Sequence, residues 1–459
     1  MPQRSRLIVV ANRLPAARTG KGPSALWERS PGGLVSAMEP VLAERGGVWI
    51  GWDGGAGPAP RPASVGSLDL RAVALSRSEV TGYYHGFCNT TLWPLYHDAV
   101  VNPEFHRAWW DPYLAVNKRF ALAAAKSYHK GGLVWVHDYQ LQMVPKMVRD
   151  RRPGAKIGFF LHIPFPPDEL FAWLPWRSAI LRGLLGADVI AFQTQSSAEN
   201  FARVAKRYTG AEGTERELTF EGRSIRVKAC PISIATTEFE ATASMPGVKR
   251  RAAEIRRQLA GRTVLLGVDR LDYTKGIPLR LLAFEELLKE RRLSANQVVM
   301  LQVAVPSREV VPGYEETRQA VEQTVGRING EYSQPGKVAV HYFRRSLERE
   351  ELVAYYLAAD VMLVTPLRDG MNLVAKEYVA CRTDNTGVLV LSEFAGAARE
   401  LRRALLVNPR DLETMKKTIV DAVRMNRNDQ RMRMAMLRST VRRHDVHDWS
   451  RDFLEVLAQ

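Results

Sequence analysis

The chain has 459 residues, 46% hydrophobic and 25% charged, which is ordinary for a globular protein and too long for a single hydrophobic core. Its net charge of +16 favours an anionic partner such as nucleic acid, a membrane surface or a phosphorylated small molecule. No apolar run reaches the ~18 residues of a membrane span, and the first run (Leu7–Ala11) is too short for a signal peptide. The three cysteines lie far apart in the sequence, which favours neither a disulfide framework nor a zinc site. We therefore expect a cytoplasmic protein of two domains.

Short runs of β-branched and apolar residues recur along the first half of the chain, separated by helix-like segments. Several of these runs are apolar on both faces, as the strands of a parallel sheet are. Strands that alternate with helices indicate α/β units. The predicted strands span residues 7–13, 48–52, 133–139, 157–163, 189–194 and 225–234.

A second series of such runs follows a polar stretch near residues 241–247. Its predicted strands span residues 263–269, 298–305, 338–343, 361–366, 387–393 and 404–409. We predict an α/β protein with two Rossmann-like, doubly wound domains, 1–243 and 244–445, that face a central cleft. The last helix, at about 446–459, is expected to pack on the first domain. Ligands of such sheets bind beyond the carboxyl ends of the strands.

The densest basic stretch, residues 424–444, carries Met and Leu at helical spacing between its arginines. It has no aromatic side chain on which the bases of a single strand would stack. We predict a helix with a solvated basic face, which leaves nucleic-acid binding without a specific motif.

Polar side chains directly follow the predicted strands of the first domain. Arg13 ends the first strand, and Gly32 and Gly33 then open a helix whose amides favour anions, although the GxGxxG spacing of dinucleotide folds is missing. Asp138 and His162 follow two further strands and offer hydrogen bonds to sugar hydroxyls. The spacing of these residues does not suit a metal site.

The second domain has cations at the same kind of position. Arg270 and Lys275 follow one strand and Arg308 follows the next. Arginine offers a planar fork to phosphate oxygens, and lysine offers a compact charge. The stretch LRDGMNLVAKEYVAC, residues 367–381, follows a third strand and starts a helix. Together the strand ends predict cations for two phosphorylated ligands and carboxylates for hydroxyls.

Nine segments resemble one family, in order and over essentially the whole chain. They read ANRLP…GGLVSA, GWDGG, YYHGFCNTTLWPL, WVHDYQL, FFLHIPFP, RLDYTKGIP, GRINGEY, TPLRDGMNLVAKEYVA and VLSEFAGAARE, and they resemble the trehalose-6-phosphate synthase family of retaining glycosyltransferases. The resemblance implies the GT-B fold. It also implies transfer of glucose from a nucleotide-diphosphate glucose, UDP- or GDP-glucose, to glucose 6-phosphate, which forms α,α-trehalose 6-phosphate with retention of configuration.

The resemblance assigns roles at the acceptor. Arg13 and Arg308 are expected to grip the acceptor phosphate. Tyr84 and Trp93 are expected to line that pocket, and Asp138 to bond the acceptor sugar.

The resemblance assigns roles at the donor as well. His162 and Asp369 are expected to bond glucose hydroxyls, and Glu377 the ribose. Arg270 and Lys275 are expected to hold the diphosphate, with Gly33 close to it. The backbone is expected to contact donor sugar and phosphate at Gly370, Met371, Asn372, Leu373 and Val374. Catalysis is assigned to Arg270, Lys275, Asp138 and His162, and the role of Lys376 stays open between an ion pair and a place near the diphosphate.

The resemblance implies front-face attack, in which the acceptor hydroxyl enters beside the leaving diphosphate and gives it its proton. Arg270 and Lys275 would stabilise the charge that builds there. The sequence shows neither the nucleophile of a retaining glycosidase nor a metal-ligand cluster, so we expect no metal and no cofactor. Ala11 and Asp53 depart from the family pattern, where serine is common. The polar loop at residues 15–30 is expected to act as a lid over the substrate.

Three other functions are weighed. They are a pseudo-glycosyltransferase that joins cyclitols, a non-catalytic sugar-phosphate sensor and a nucleic-acid binder. The intact motifs speak against the first two, and the third requires binding of random DNA at physiological salt. We expect small-molecule partners and no membrane. The donor base, expected near Phe343, Arg344 and Arg345, is not decided between UDP, GDP and ADP, and homo-oligomerisation also stays open.

Overall fold

The computed structural model describes residues 6–19, 26–29, 35, 38, 41–42, 46–58, 69–308 and 310–459. The chain divides into two compact units, one of Met1–Ile232 with His447–Gln459 and one of Ser233–Val446, called here the N-terminal and the C-terminal unit. The boundary expected between residues 243 and 244 lies within the helix Thr236–Ser244 of the C-terminal unit. Within the described part of the chain, every helix is too short or too polar to span a bilayer.

The N-terminal unit contains a nine-stranded sheet and a separate two-stranded hairpin. The strands are β1 (Leu7–Arg13), β2 (Ala16–Thr19), β3 (Leu26–Arg29), β4 (Gly47–Trp52), β5 (Asp69–Ala72), β6 (Leu133–His137), β7 (Lys156–Leu161), β8 (Val189–Phe192), β9 (Glu212–Gly213), β10 (Glu217–Phe220) and β11 (Arg223–Ala229). The order in the sheet is β5-β4-β1-β6-β7-β8-β11-β10-β9, parallel except where β10 pairs with β11 and β9. The winding direction reverses between β1 and β6, which is where such a sheet offers a ligand crevice.

The centre of this sheet is apolar because its strands are covered by helices on both faces. All residues of β6 are buried. The C-terminal helix Val446–Ala458 packs on β7, where a Cβ on Gly158 would lie 2.6 Å from the ring of Phe453. The ring of Trp135 stacks on Phe453 at 4.3 Å between centroids. The α-helices of this unit are Arg77–Glu79, Trp93–Tyr96, Arg107–Ser127, Val144–Arg149, Asp168–Phe171, Arg177–Leu184, Gln195–Thr209 and Val446–Ala458, with a 3-10 turn at Tyr139–Leu141.

A wide helix, Val80–Leu92, has the hydrogen bonding of a π-helix. Its last turn closes when the amide of Trp93 donates to the carbonyl of Cys88, five residues earlier. Side chains copy the same spacing, since Asn89 Nδ2 donates to the carbonyl of Tyr84 at 2.7 Å. Helices of this kind are rare and are frequently found at functional sites.

The C-terminal unit has one six-stranded parallel sheet. Its strands are β12 (Thr263–Arg270), β13 (Val298–Val305), β14 (Val340–Phe343), β15 (Val361–Val364), β16 (Val388–Ser392) and β17 (Leu405–Val407). The order β14-β13-β12-β15-β16-β17 is that of a Rossmann domain, 3-2-1-4-5-6, with the crevice at the reversal between β12 and β15.

Helices cover this sheet and bury the hydrophobic core between them and the strands. The α-helices are Thr236–Ser244, Pro246–Gln258, Ile277–Lys289, Pro312–Tyr332, Arg349–Ala358, Leu373–Cys381, Leu412–Arg424 and Arg427–Arg443, with 3-10 turns at Tyr273–Lys275 and Gly396–Arg399.

Candidate active site

The N-terminal unit presents a cation at its crevice. Arg13 ends β1 and is exposed, and its Cζ lies 4.8 Å from the ring centroid of Trp52. Gly54 has φ +93°, and a Cβ there would lie 2.2 Å from both terminal nitrogens of Arg13. Glycine therefore leaves room for the guanidinium, which an aromatic face holds from one side.

Of the predicted pocket residues, Tyr84 lies against the Trp52 ring that holds this cation, and Trp93 is linked to Tyr84 through Tyr139 and Asn89. The ring of Tyr84 lies 5.3 Å from that of Trp52. Trp93 lies 5.6 Å from the ring of Tyr139, whose hydroxyl donates to Asn89 Oδ1 at 2.8 Å. Asn89 bonds the carbonyl of Tyr84, so the wide helix connects both predicted pocket residues.

Asp138 follows β6 on the other side of the same crevice. Its backbone has φ +75°, a conformation that costs free energy for a residue with a side chain and is often found at functional sites. The amide of Asp138 donates to the carbonyl of Phe160 at 2.8 Å. Its Oδ1 accepts from the amide of His162 at 3.2 Å. The structure thus brings Asp138 and His162 together.

His162 forms a pair with His137, a residue that the sequence analysis did not select. The rings are joined by a hydrogen bond of 3.1 Å between His137 Nδ1 and His162 Nε2. Burial lowers the pKa of His137 well below its usual value and that of His162 to about 3. Both rings are therefore neutral near pH 7, and His162 can take part in hydrogen bonds without adding charge.

In the C-terminal unit, Lys275 and Asp369 meet at the reversal between β12 and β15. Lys275 Nζ lies 2.6 Å from Asp369 Oδ2, and both side chains are mostly buried. The turn after Lys275 needs glycine, because Gly276 has φ +66° and a Cβ there would lie 2.2 Å from the carbonyl oxygen of Thr365. Two residues predicted to contact the donor are thus held against each other from neighbouring strands.

Asp272 organises the cations of this crevice, although the sequence analysis assigned it no role. Its Oδ1 accepts from the amide and the hydroxyl of Thr274 at 2.9 and 2.8 Å. Its Oδ2 lies 3.7 Å from Arg308 Nη1 and accepts from the hydroxyl of Tyr314 at 3.2 Å. Burial alone would raise the pKa of Asp272, but the charges of Arg270, Arg308 and Lys275 outweigh it and lower the pKa to about 2.

The lowered pKa of Asp272 predicts an acid-dependent loss of stability. The group is ionised when folded down to about pH 2, so its contribution is present above the unfolded pKa near 3.8 and is lost as pH falls through 2. The shift corresponds to about 2 kcal/mol. In urea unfolding between pH 5 and pH 2.5, the advantage of the wild type over Asp272→Asn is expected to shrink as pH falls. An advantage that stays constant over this range would contradict the ion pairing.

Arg308 belongs to the C-terminal unit and Arg13 to the N-terminal unit, so their joint grip on one phosphate stays a prediction. Arg308 has φ +50° and its side chain is only 6% exposed. Its Nη1 donates to the hydroxyl of Tyr314 at 2.5 Å. The structure groups Arg308 with Asp272 and with the two cations that follow β12.

The segment after β15 forms a helix N-terminus that can receive an anion. Asn372, with φ +73°, caps the helix Leu373–Cys381 by accepting from the amide of Ala375. Its Nδ2 donates to Asp369 Oδ2 at 3.0 Å. The helix dipole and the first backbone amides therefore project near Asp369, at the predicted contacts Gly370, Met371, Leu373 and Val374.

Lys376 and Glu377 have different surroundings on that helix. Glu377 Oε2 accepts from the hydroxyl of Tyr356 at 2.8 Å, and burial raises the pKa of this carboxyl group. Lys376 is 1% exposed, and its Nζ lies 3.0 Å from both oxygens of Glu400. Of the two roles left open for Lys376, the ion pair is the one found.

A buried network behind the Lys275 turn escaped the sequence analysis. Arg280 is 0% exposed. Its Nη1 lies 2.5 Å from Asp269 Oδ2 and its Nε 3.0 Å from Thr365 Oγ1. Gly267 makes room for it, since a Cβ there would lie 2.3 Å from Arg280 Nη1. The network ties β12 to the residue that follows β15, and Arg280 Nη2 also donates to the carbonyl of Lys275 at 3.4 Å.

The predictions about Gly33, the lid over the substrate and the metal remain to be placed in the structure. Gly33 lies outside the described residues, as do residues 20–25 of the expected lid, whose flanks form the hairpin of β2 and β3. Among the described residues, one trio of acids, Glu286, Glu290 and Glu413, is close enough to hold a metal ion. The ammonium of Lys416 already lies within 2.8 Å of each of them.

Comparisons with known proteins identify the family to which the two sheets and the residues at their strand ends belong. A family model described as glycosyltransferase family 20 matches residues 5–459. A trehalose-6-phosphate synthase of Mycobacterium avium is 52% identical over 471 residues, which cover 99% of this chain and 96% of the relative. A UDP-forming α,α-trehalose-phosphate synthase from Burkholderia xenovorans, solved with glucose 6-phosphate, is 33% identical with a TM-score of 0.90, over 99% of this chain and 100% of that one. A trehalose-6-phosphate synthase solved in a study of glycosyl transfer with retention is 35% identical with a TM-score of 0.89, over 99% of each chain.

Proposed function

The chain belongs to glycosyltransferase family 20, and we propose that it transfers glucose from UDP-glucose to glucose 6-phosphate with retention of configuration. The resemblance stated from the sequence motifs is confirmed, as is the enzyme class, a trehalose-6-phosphate synthase. The identity of both substrates and the stereochemistry are the parts we propose.

The observation that carries the proposal is the cation cluster at the reversal between β12 and β15. Arg270, Lys275 and Arg308 surround Asp272 closely enough to lower its pKa. Asp272 and Asp369, which pairs with Lys275, supply two carboxylates against these three cations, so the crevice retains positive charge. A diphosphate that departs from glucose develops negative charge, and fixed cations stabilise it in the transition state.

The other roles follow from the chemistry of the side chains. The polar pair Asp369 and Asn372 is suited to glucose hydroxyls, and Glu377, held by Tyr356, to the two hydroxyls of ribose. The neutral His162 is suited to a hydroxyl of the donor sugar. Asp138 is suited to orient the acceptor sugar, whose phosphate Arg13 would hold.

We propose that retention occurs through front-face attack, in which the acceptor hydroxyl loses its proton to the leaving diphosphate. This route requires cations at the leaving group and a carboxylate that orients the hydroxyl, which are the proposed tasks of Arg270, Lys275 and Asp138. The related protein from the retention study supports this stereochemistry.

Uracil is proposed as the base of the donor because the Burkholderia xenovorans relative is described as UDP-forming. The base is expected beyond β14, where Arg345 Cζ lies 5.6 Å from the ring of Phe343. The test incubates the enzyme with glucose 6-phosphate and UDP-, GDP- or ADP-glucose and measures trehalose 6-phosphate and its anomeric configuration. The highest kcat/KM is expected with UDP-glucose. A preference for GDP-glucose would correct the base, and no disaccharide phosphate with any donor would overturn the function in favour of a sensor or a cyclitol-joining enzyme.

Arg13→Ala is expected to act mainly on the acceptor. Charge-assisted hydrogen bonds contribute about 1.5–3 kcal/mol, so KM for glucose 6-phosphate should rise roughly 10- to 150-fold while KM for the donor changes little. Arg71→Ala, which removes an exposed arginine from β5, is the matched control. An unchanged acceptor KM in Arg13→Ala would refute the phosphate role.

A further inference from the structure

A groove in the C-terminal unit lies apart from the residues assigned to either substrate. It runs between the segment after the turn Gly396–Arg399 and the helix Arg427–Arg443, and its volume is about 260 Å³. Pockets for drug-sized ligands hold about 300–1,000 Å³, so the groove suits a smaller molecule. Its lining includes Arg402, Arg403, Arg443, Ser439, Thr440 and Met436, and we name it the arginine groove.

The three arginines of the groove carry charge that no acidic side chain neutralises among the described residues. Arg402 Nε donates to the carbonyl of Arg399 at 3.2 Å, and Arg443 Nε to that of Ser439 at 3.3 Å. Both contacts leave the terminal guanidinium nitrogens available. The neighbouring Arg442 differs, because its Nε lies 2.6 Å from a carboxylate oxygen of Glu240.

The carboxylate that does line the groove is already engaged. Both oxygens of Glu400 accept from the buried ammonium of Lys376 at 3.0 Å. This pair is neutral overall, so the groove keeps the charge of its arginines. Guanidinium groups bind phosphate oxygens through two parallel hydrogen bonds, and the exposed hydroxyl of Ser439 and the side chain of Met436 offer contacts to the rest of a small molecule.

We propose that the arginine groove binds a phosphate-bearing small molecule, and that its occupation strengthens binding at the segment after β15. The ligand class is a phosphate monoester or inorganic phosphate, since the shared chemistry is the phosphoryl group. The first half of the proposal is independent of the proposed function, whereas the second half rests on the donor role of that segment.

The turn Gly396–Arg399, which leads into the groove wall, is bonded directly to the donor segment. The amide of Ala397 donates to the carbonyl of Met371 at 2.9 Å, and a Cβ on Gly396 would lie 2.0 Å from the carbonyl oxygen of Gly370. Glu400 reaches the same helix through Lys376. An anion in the groove repels the Glu400 carboxylate and so favours its position against Lys376, next to Glu377.

Binding is tested by calorimetric titration of inorganic phosphate and glycerol 3-phosphate into the full chain. The background is Arg13→Ala/Arg270→Ala, in which both proposed phosphate subsites are weakened. One binding event is expected there, and adding Arg403→Gln/Arg443→Gln should weaken it at least roughly tenfold. Adding Arg427→Gln/Arg431→Gln instead removes two exposed arginines of the same helix and should leave it unchanged. Equal affinities in the two sets would overturn the site.

The location is tested by crystals of the wild type soaked in tungstate, an anomalous scatterer shaped like phosphate. A peak bonded to Arg402, Arg403 and Arg443 supports the site. A peak only at Arg270 or Arg13 would overturn it while leaving the proposed function intact.

Coupling is tested through the dissociation constant of UDP-glucose with and without phosphate. Competition at the active site is the same in the wild type and in Arg403→Gln/Arg443→Gln, so their difference isolates the groove. Phosphate should favour donor binding in the wild type about fivefold more than in that variant. Glu400→Gln, checked by thermal unfolding, should keep phosphate binding and lose the difference. An undiminished difference in Glu400→Gln would overturn the coupling route.

Discussion

Arg270→Ala is expected to lower kcat with UDP-glucose and glucose 6-phosphate by about 10²–10³-fold, since removal of one preorganised donor at a developing charge commonly has this effect. Arg270 ends β12 with an exposed side chain, and its charge is the first of three cations that lower the pKa of Asp272. The variant should still fold, because the side chain of Arg270 is exposed and not part of the hydrophobic core. The measurement is steady-state kinetics over a range of both substrates.

Two further variants sharpen this result. Arg270→Lys keeps the charge but loses the planar fork, so its kcat should lie between those of the wild type and the alanine variant. Arg250→Ala removes an exposed arginine from the helix Pro246–Gln258 and should retain full activity. Turnover near that of the wild type in Arg270→Ala would rule out its role at the leaving group.

Arg280→Met is expected to lower the free energy of unfolding by about 3–5 kcal/mol, because it leaves the charge of Asp269 buried without a partner. Both side chains are at most 1% exposed, and their nitrogen and oxygen lie 2.5 Å apart. Thr365 and Gln302 also lose a hydrogen bond to the guanidinium. Since these groups support the Lys275 turn, the dissociation constant of the donor should rise as well.

The composition of the chain helps to measure this effect. All ten tryptophans lie in the N-terminal unit, so tryptophan fluorescence reports on that unit while far-UV circular dichroism reports on both. In urea, the dichroism transition of Arg280→Met should move to lower concentration. The double variant Arg280→Met/Asp269→Leu removes both charges and should recover at least half of the loss, because buried pairs are often replaceable by apolar residues. A double variant as unstable as the single one would show that the charge of Asp269 is not the cause.

The fold class follows from patterns that are local in the sequence. It is confirmed by the mainly parallel and the fully parallel sheet of the two units and by the solved relatives of GT-B type. The strand β1 spans the predicted residues 7–13, and β13 spans 298–305. Strands with weak apolar character were missed, such as the exposed β9 and the half-exposed β10. The wide helix Val80–Leu92 was also missed, because its sequence shows no signal that separates a π-helix from an α-helix.

The sequence by itself determined the family, the alternation of the apolar strands with helices in both halves, and the polar residues at the strand ends. These follow from runs of neighbouring residues and from motifs in order. Only the tertiary structure decided which charges meet. Lys376 pairs with Glu400, 24 positions away, and Lys275 pairs with Asp369, 94 positions away. Burial is set by packing between segments that are distant in the chain, so the pKa of Asp272 and the enclosure of Arg280 appear only when the parallel strands bring those segments together.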